Sequence, residues 1–250
     1  MEPENQHRTE QALEPQPFSI GGVLSDAWGL YKRFFTRFVA VAAVVYVVLG
    51  LVQALVAAAT EGGGVLTAFV WGVIGAIVGL IGYFWVQGAL VEAIRDVQDG
   101  RADASIGELF GAVKPRLAAL IVAGVLAGLG IGLGLLLLVI PGLFLLTRWI
   151  LIIPVIVLEG RSAGESFGRS SELVKGNGWG VFGLIAVTVV ILGIAGAIVG
   201  GIIAILIGFL PTLLVQWVTN IVVNSLTAPF VALAWTLTYF RLTGNRPQPL

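Results

Sequence analysis

Six stretches of this 250-residue chain are apolar without interruption over roughly the 20 residues that a helix needs to cross a bilayer. They are Phe38–Ala58, Val65–Val91, Leu117–Ile140, Leu143–Leu158, Val181–Ile207 and Leu213–Phe240. A membrane barrel would alternate apolar and polar residues in segments of about ten, so unbroken runs exclude it and predict helices. Hydrophobic residues make up 58% and charged residues 11% of the chain, and mean hydropathy is +0.99, which excludes an ordinary water-soluble fold.

The fourth stretch is short and comes after Pro141-Gly142, a helix-breaking pair that predicts a tight hairpin between the third and fourth spans. The fifth contains Gly193, Gly196, Gly200 and Gly201, so its pattern leaves a bend or a re-entrant course open.

Basic residues orient the spans, because lysine and arginine accumulate in the short cytoplasmic loops. Lys32, Arg33 and Arg37 precede the first span, and Arg95, Arg101, Lys114 and Arg116 separate the second from the third. Arg161, Arg169 and Lys175 lie between the fourth and fifth spans, and Arg241 and Arg246 come after the sixth. All basic residues beyond the N-terminal tail, except Arg148, therefore fall on one side of a six-span arrangement, with both termini on the cytoplasmic side of a bacterial inner membrane. Residues 1–17 lack the basic start and apolar core of a secretory signal and read as a flexible cytoplasmic tail. Residues 18–240 form the six-span domain and 241–250 a cytoplasmic C-terminal tail.

A short pattern recurs ahead of alternate spans: Ser19-Ile20-Gly21-Gly22, Ser105-Ile106-Gly107-Glu108 and Ser162-Ala163-Gly164-Glu165. In the last two, serine and glutamate have capping-box spacing. Each opens an amphipathic stretch: Ile20, Val23, Leu24, Ala27, Tyr31 and Phe34 share one helical face, as do Ile106, Leu109, Phe110 and Val113, while Phe167 and Val174 oppose Arg169, Glu172 and Lys175. The expected fold is thus an all-α membrane protein of six transmembrane helices, arranged as three hairpins, each preceded by an interfacial helix on the cytoplasmic leaflet.

From Arg148-Trp149 through Pro154 to Leu158-Glu159-Gly160, and then Ser166-Phe167-Gly168-Arg169-Ser170-Ser171-Glu172-Leu173-Val174-Lys175-Gly176, the chain resembles the membrane domain associated with glycerophosphoryl diester phosphodiesterases. More distantly it resembles YciC-like bacterial inner-membrane proteins. Trp179, Phe182 and the closing Tyr239-Phe240-Arg241-Leu242 extend the likeness, which spans roughly residues 18–245, although the family's acidic residue after the closing aromatic is missing. The resemblance implies a shared membrane fold. In the name-giving members the phosphodiesterase chemistry belongs to a separate soluble domain, for which nothing here is long enough.

Reactive side chains are scarce. The one histidine is His7, and cysteine is absent, so the usual ligands for zinc, haem or iron–sulfur centres and the usual acid–base and nucleophilic constellations are missing. Asp96, Asp99 and Asp103 are interleaved with Arg95 and Arg101 as in a solvated turn rather than a metal site. Gly128, Gly130, Gly132 and Gly134 lie inside an apolar span with neither a lysine nor a preceding strand, so they read as helix packing positions, like Gly75/Gly79 and Gly196/Gly200. Net charge is formally zero, with no basic field for nucleic acid.

The sequence contains two candidate sites. An arginine inside a span is costly unless partnered, and counting from Pro141 places Arg148 in the outer half, at the depth of Gln53, Gln216 and Asn220. These four, with Asn224, are expected to form an intramembrane polar cluster that fixes helix packing or lines a small cavity. At the cytoplasmic side, Glu159, Arg161, Arg169, Glu172 and Lys175 are expected to form ion pairs or a lipid-headgroup site. No catalytic residue, metal or cofactor is expected. The expected role is a non-catalytic scaffold or accessory subunit that binds membrane lipids, other integral membrane proteins or a second copy through Gly-rich faces. A lipid or small-molecule permease is the alternative and an intramembrane enzyme the remote third.

Overall fold

The computed structural model describes residues 18–98 and 100–244. The expected tail 1–17 with His7, Asp99, and the C-terminal tail beyond Gly244 lie outside the described residues. Among the described residues every regular element is helical: α1 (Ile20–Arg33), α2 (Phe35–Thr60), α3 (Val65–Asp96), α4 (Ile106–Val113), α5 (Leu117–Leu137), α6 (Val139–Trp149), α7 (Ile152–Glu159), α8 (Ala163–Val174), α9 (Gly178–Ile207) and α10 (Thr212–Thr243). Six of the helical stretches are long and apolar enough to cross a membrane: α2, α3, α4 with α5, α6 with α7, α9 and α10. The protein is an all-helical, multi-pass membrane protein.

The serine repeat works as its chemistry predicts. Ser19 Oγ accepts from Gly22 N–H, and Ser105 and Ser162 each accept from the glutamate three residues on, whose carboxylate returns a bond to the cap amide. So α1, α4 and α8 each start at a capped serine and precede a pair of spans. Their connections to those spans are not alike. A 3₁₀ turn through Pro115 (Lys114–Arg116) joins α4 to α5, making one continuous helical stretch, Ile106–Leu137.

The hairpin between the third and fourth spans turns at Leu138 (φ −154°, ψ 129°) rather than at Pro141-Gly142. Pro141 sits in the first turn of α6, where its missing N–H goes unused. The fourth span is also divided, and the cause is Pro154. Its ring crowds the carbonyl four residues back, on Ile150, and offers it no donor, so the helix stops at Trp149 and restarts at Ile152. By contrast α9 is one unbroken helix of 30 residues, because Gly196 and Gly200 serve packing: Cβ atoms there would stand 3.3 Å from Val223 and Thr219 of α10.

Burial is uneven along the bundle. The buried residues concentrate at Phe84–Val97, Leu151–Val157 and Ser225–Phe240, the ends of the spans that α1, α4 and α8 pack against. At the other end, by the connections near Glu61, Leu138 and Phe209, large apolar residues such as Leu136 (82%) and Phe209 (83%) are exposed. The short helices are thus wedges that tighten one end, and the spans splay toward the other.

Candidate functional site: an amide-lined groove and a capped helix break

The splayed end opens a groove of about 840 Å³ between α2 and α10. Gln53 and Tyr46 line it from α2, and Gln216, Trp217, Asn220 and Asn224 from α10, with Glu61 and Pro211 at its mouth. Gln216, Asn220 and Asn224 succeed one another at intervals of four, which on a helix is one stripe. The amide nitrogen of Asn220 donates to the Gln216 backbone carbonyl (2.9 Å) and that of Asn224 to the Asn220 backbone carbonyl (2.8 Å), so both donors are partly spent on their own helix. Trp217 lies against Gly50, a position where a Cβ would run into the indole, and its buried Nε1 has no partner among the described residues. The stripe ends where α10 enters the packed core at Ser225, Ala228 and Pro229.

Four of the five residues expected as a polar cluster therefore share one groove. Arg148 does not join them. Its Nη1 donates to the Ser171 carbonyl (3.1 Å) near the C-terminus of α8, where the last carbonyls lack helical partners and the helix dipole favours a cation, and its guanidinium lies 5.0 Å from the Phe144 ring centroid. The correction has a physical origin. A count from Pro141 gives depth along α6 but not the neighbour that a side chain faces, and Arg148 faces α8, which returns alongside α6 and α7. The break at Pro154 frees backbone groups, and one hydroxyl satisfies two of them: Ser170 Oγ accepts from Leu151 N–H (3.2 Å) and donates to the Arg148 carbonyl (2.7 Å).

That arrangement also revises α8. Its deepest face is Ser166, Ser170 and Val174, all at 1% exposure or less, packed against α5, α6, α7 and α10. Phe167 is half-buried, edge-on to Trp149 with ring centroids 4.9 Å apart. The helix is docked between spans by small side chains rather than laid on a surface by large ones. No apolar stripe announces such a face, though serines four apart beside a proline-broken span are a usable signal.

The ion-pair cluster holds α8 from its other side. Glu159 accepts from Arg161 (2.6 Å), Arg169 (2.9 Å) and the Tyr239 hydroxyl (3.0 Å), tying α7, α8 and α10 together. Arg169 also reaches Glu172 (3.7 Å), whereas Lys175 is exposed and joins none of these pairs. Gly160, in the left-handed conformation (φ 69°), makes the turn that lets Arg161 and α8 come back to Glu159. At the same end Arg37 pairs with Asp96 and donates to the Ala104 carbonyl (2.6 Å), and Arg116 pairs with Glu92 (3.2 Å).

Chemically the groove offers side-chain amides, and Glu159 is consumed by Arg161, Arg169 and Tyr239. No group of three metal-ligating side chains occurs among the described residues. No curated protein and no solved structure matches the chain. Residues 104–242 match a family described as a domain of unknown function, DUF7847, and that match takes in more than half of the chain, including α4, the broken fourth span, docked α8 and nearly all of α10. The chain belongs to the DUF7847 family.

Proposed function

We propose that this protein is a non-catalytic scaffold or accessory subunit of the cytoplasmic membrane that binds a transmembrane helix of a neighbouring protein in the groove between α2 and α10. One observation carries the reading: Gln53, Gln216 and Asn220 are exposed within apolar spans, where hydrocarbon offers them no hydrogen bonds. A partner helix with polar side chains supplies those bonds, and the four-residue stripe matches the repeat of a helix face.

The basic residues at the wedged end support placing that end, and both termini, in the cytoplasm. The likeness to the glycerophosphoryl diester phosphodiesterase membrane domain, carried by Arg148-Trp149, Pro154 and Glu159-Gly160, supports a membrane role apart from catalysis. A permease reading is weaker, since the amide stripe stops at Asn224 and the buried residues beyond it leave no polar path toward the other end.

The chain has no cysteine, so Asn220→Cys provides a unique attachment point for a photo-crosslinker in native membranes. A discrete crosslinked protein band from Asn220→Cys, absent from Ile198→Cys on the exposed face of α9, is expected. Equal labelling at both positions, or lipid adducts alone, would reject the reading.

A further inference from the structure

A second groove, of about 340 Å³, runs along another flank of α10, between it, α9 and α1. Its walls include Trp28 and Tyr31 of α1, Ile191 and Val199 of α9, and Val223 and Phe230 of α10. Only two hydroxyls border it, and both are engaged: Tyr31 donates to the Leu226 carbonyl (2.9 Å) and Thr227 to the Val223 carbonyl (2.8 Å). The groove therefore asks for no hydrogen bond, and its lining suits hydrocarbon. From Ile191 to Val199 it extends about 12 Å at the helical rise of 1.5 Å per residue.

Charge gathers at one end. Trp28 and Tyr31 stack there and pack edge-on to Phe230, and the Lys32 ammonium lies 5.7 Å from the Trp28 ring centroid. Lys32 and the adjacent Arg33 are exposed and make no ion pair among the described residues. The nearest carboxylate on α1, Asp26, is already held by Arg241 (2.5 Å). An apolar slot ending at an aromatic collar with the unneutralised Lys32 is complementary to an amphiphile with a hydrocarbon tail and an anionic head, whereas Arg33 turns to the far side of α1, over the Phe34 ring.

We propose that this groove binds an anionic glycerophospholipid, one acyl chain lying between α9 and α10 and its phosphate paired with Lys32. The site is independent of the helix-binding groove on the α2 side. A cation near an anionic headgroup favours it by about fivefold, so Lys32 predicts a preference of roughly that size over a zwitterionic lipid with the same chains.

Native mass spectrometry of the full chain, delipidated in detergent and titrated with phosphatidylglycerol or phosphatidylcholine of identical acyl chains, tests this. Wild type should retain phosphatidylglycerol about fivefold better. Lys32→Gln should abolish the preference while still binding phosphatidylcholine, and Ala195→Trp, which fills the slot from its α9 wall, should reduce both. Lys114→Glu with Lys175→Glu, at exposed cations elsewhere on that end, should leave the preference intact. Each variant is first checked for wild-type melting in lipid-free detergent. Wild type without a preference, a preference lost equally in the Lys114/Lys175 variant, or undiminished binding to Ala195→Trp would overturn the proposal.

Discussion

Replacing Gly134 with alanine tests the packing of the α5–α6 hairpin at a point where no side chain can yield. A Cβ at Gly134 would lie 2.9 Å from the Gly142 Cα and backbone nitrogen and 3.3 Å from the Pro141 carbonyl carbon, all main-chain atoms. Ordinary contact begins at 3.4 Å, so the helices must part by about 0.5 Å. A gap of that size forfeits about a quarter of the dispersion attraction along the seam, and overpacking of this kind costs roughly 1–3 kcal/mol. Alanine also favours helix by up to about 1 kcal/mol relative to glycine, which partly conceals the effect. Gly132 separates the two, because it lies on the same helix with nothing within 4 Å of a Cβ. Gly134→Ala should therefore unfold more readily than Gly132→Ala by roughly 1–3 kcal/mol in a reversible SDS titration monitored by tryptophan fluorescence. Equal stabilities for the two variants would refute the packing argument, and so would an equal loss in both.

Ser170→Ala removes the one hydroxyl serving Leu151 N–H and the Arg148 carbonyl, so it should cost about 2 kcal/mol and speed amide exchange at Leu151 well before α9 or α10 exchange. Burial pushes the Tyr31 phenol up to about 12 from an ordinary value near 10, so its anchoring of α1 should be complete below pH 10 and lost as pH rises through 12, a loss that Tyr31→Phe should not show in an alkaline fluorescence titration. The hydroxyl and then the backbone amide of Ser162 hold the Glu165 carboxyl below its usual range, so the cap of α8 should be intact above about pH 4.3 and weaken as pH falls through the lowered value. Hydrogen exchange of α8 against pH reads this, and Glu165→Gln should flatten the acid limb because glutamine serves the same box without titrating.

Much of the architecture is local chemistry and was legible in the residues. A run such as Val65–Val91 has no soluble solution, and Ser105 three residues before Glu108 writes a helix start whatever lies around it. The capped short helices, the pairing of spans behind them and the collection of basic residues at one end all come from such rules. Gln53, Gln216, Asn220 and Asn224 were also legible as a set, because polar side chains in apolar spans are few and depth along a helix is countable.

Arg148 shows where counting fails. Depth along α6 is countable, but depth does not say which neighbour a side chain faces, and periodicity carries no information on which segment fills the gap at the Pro154 break. Docking of α8 through Ser166 and Ser170 is a matter of shape, since two small polar side chains look like a solvent face until a groove is there to accept them. The α1–α9–α10 groove arises the same way, from α1 bridging two long spans. Hydrophobic length and capping are properties of neighbours in the chain, so six spans and three capped helices follow from residue order. What those helices touch follows from packing, because contact between distant segments depends on shapes and vacancies that exist once the spans have come together.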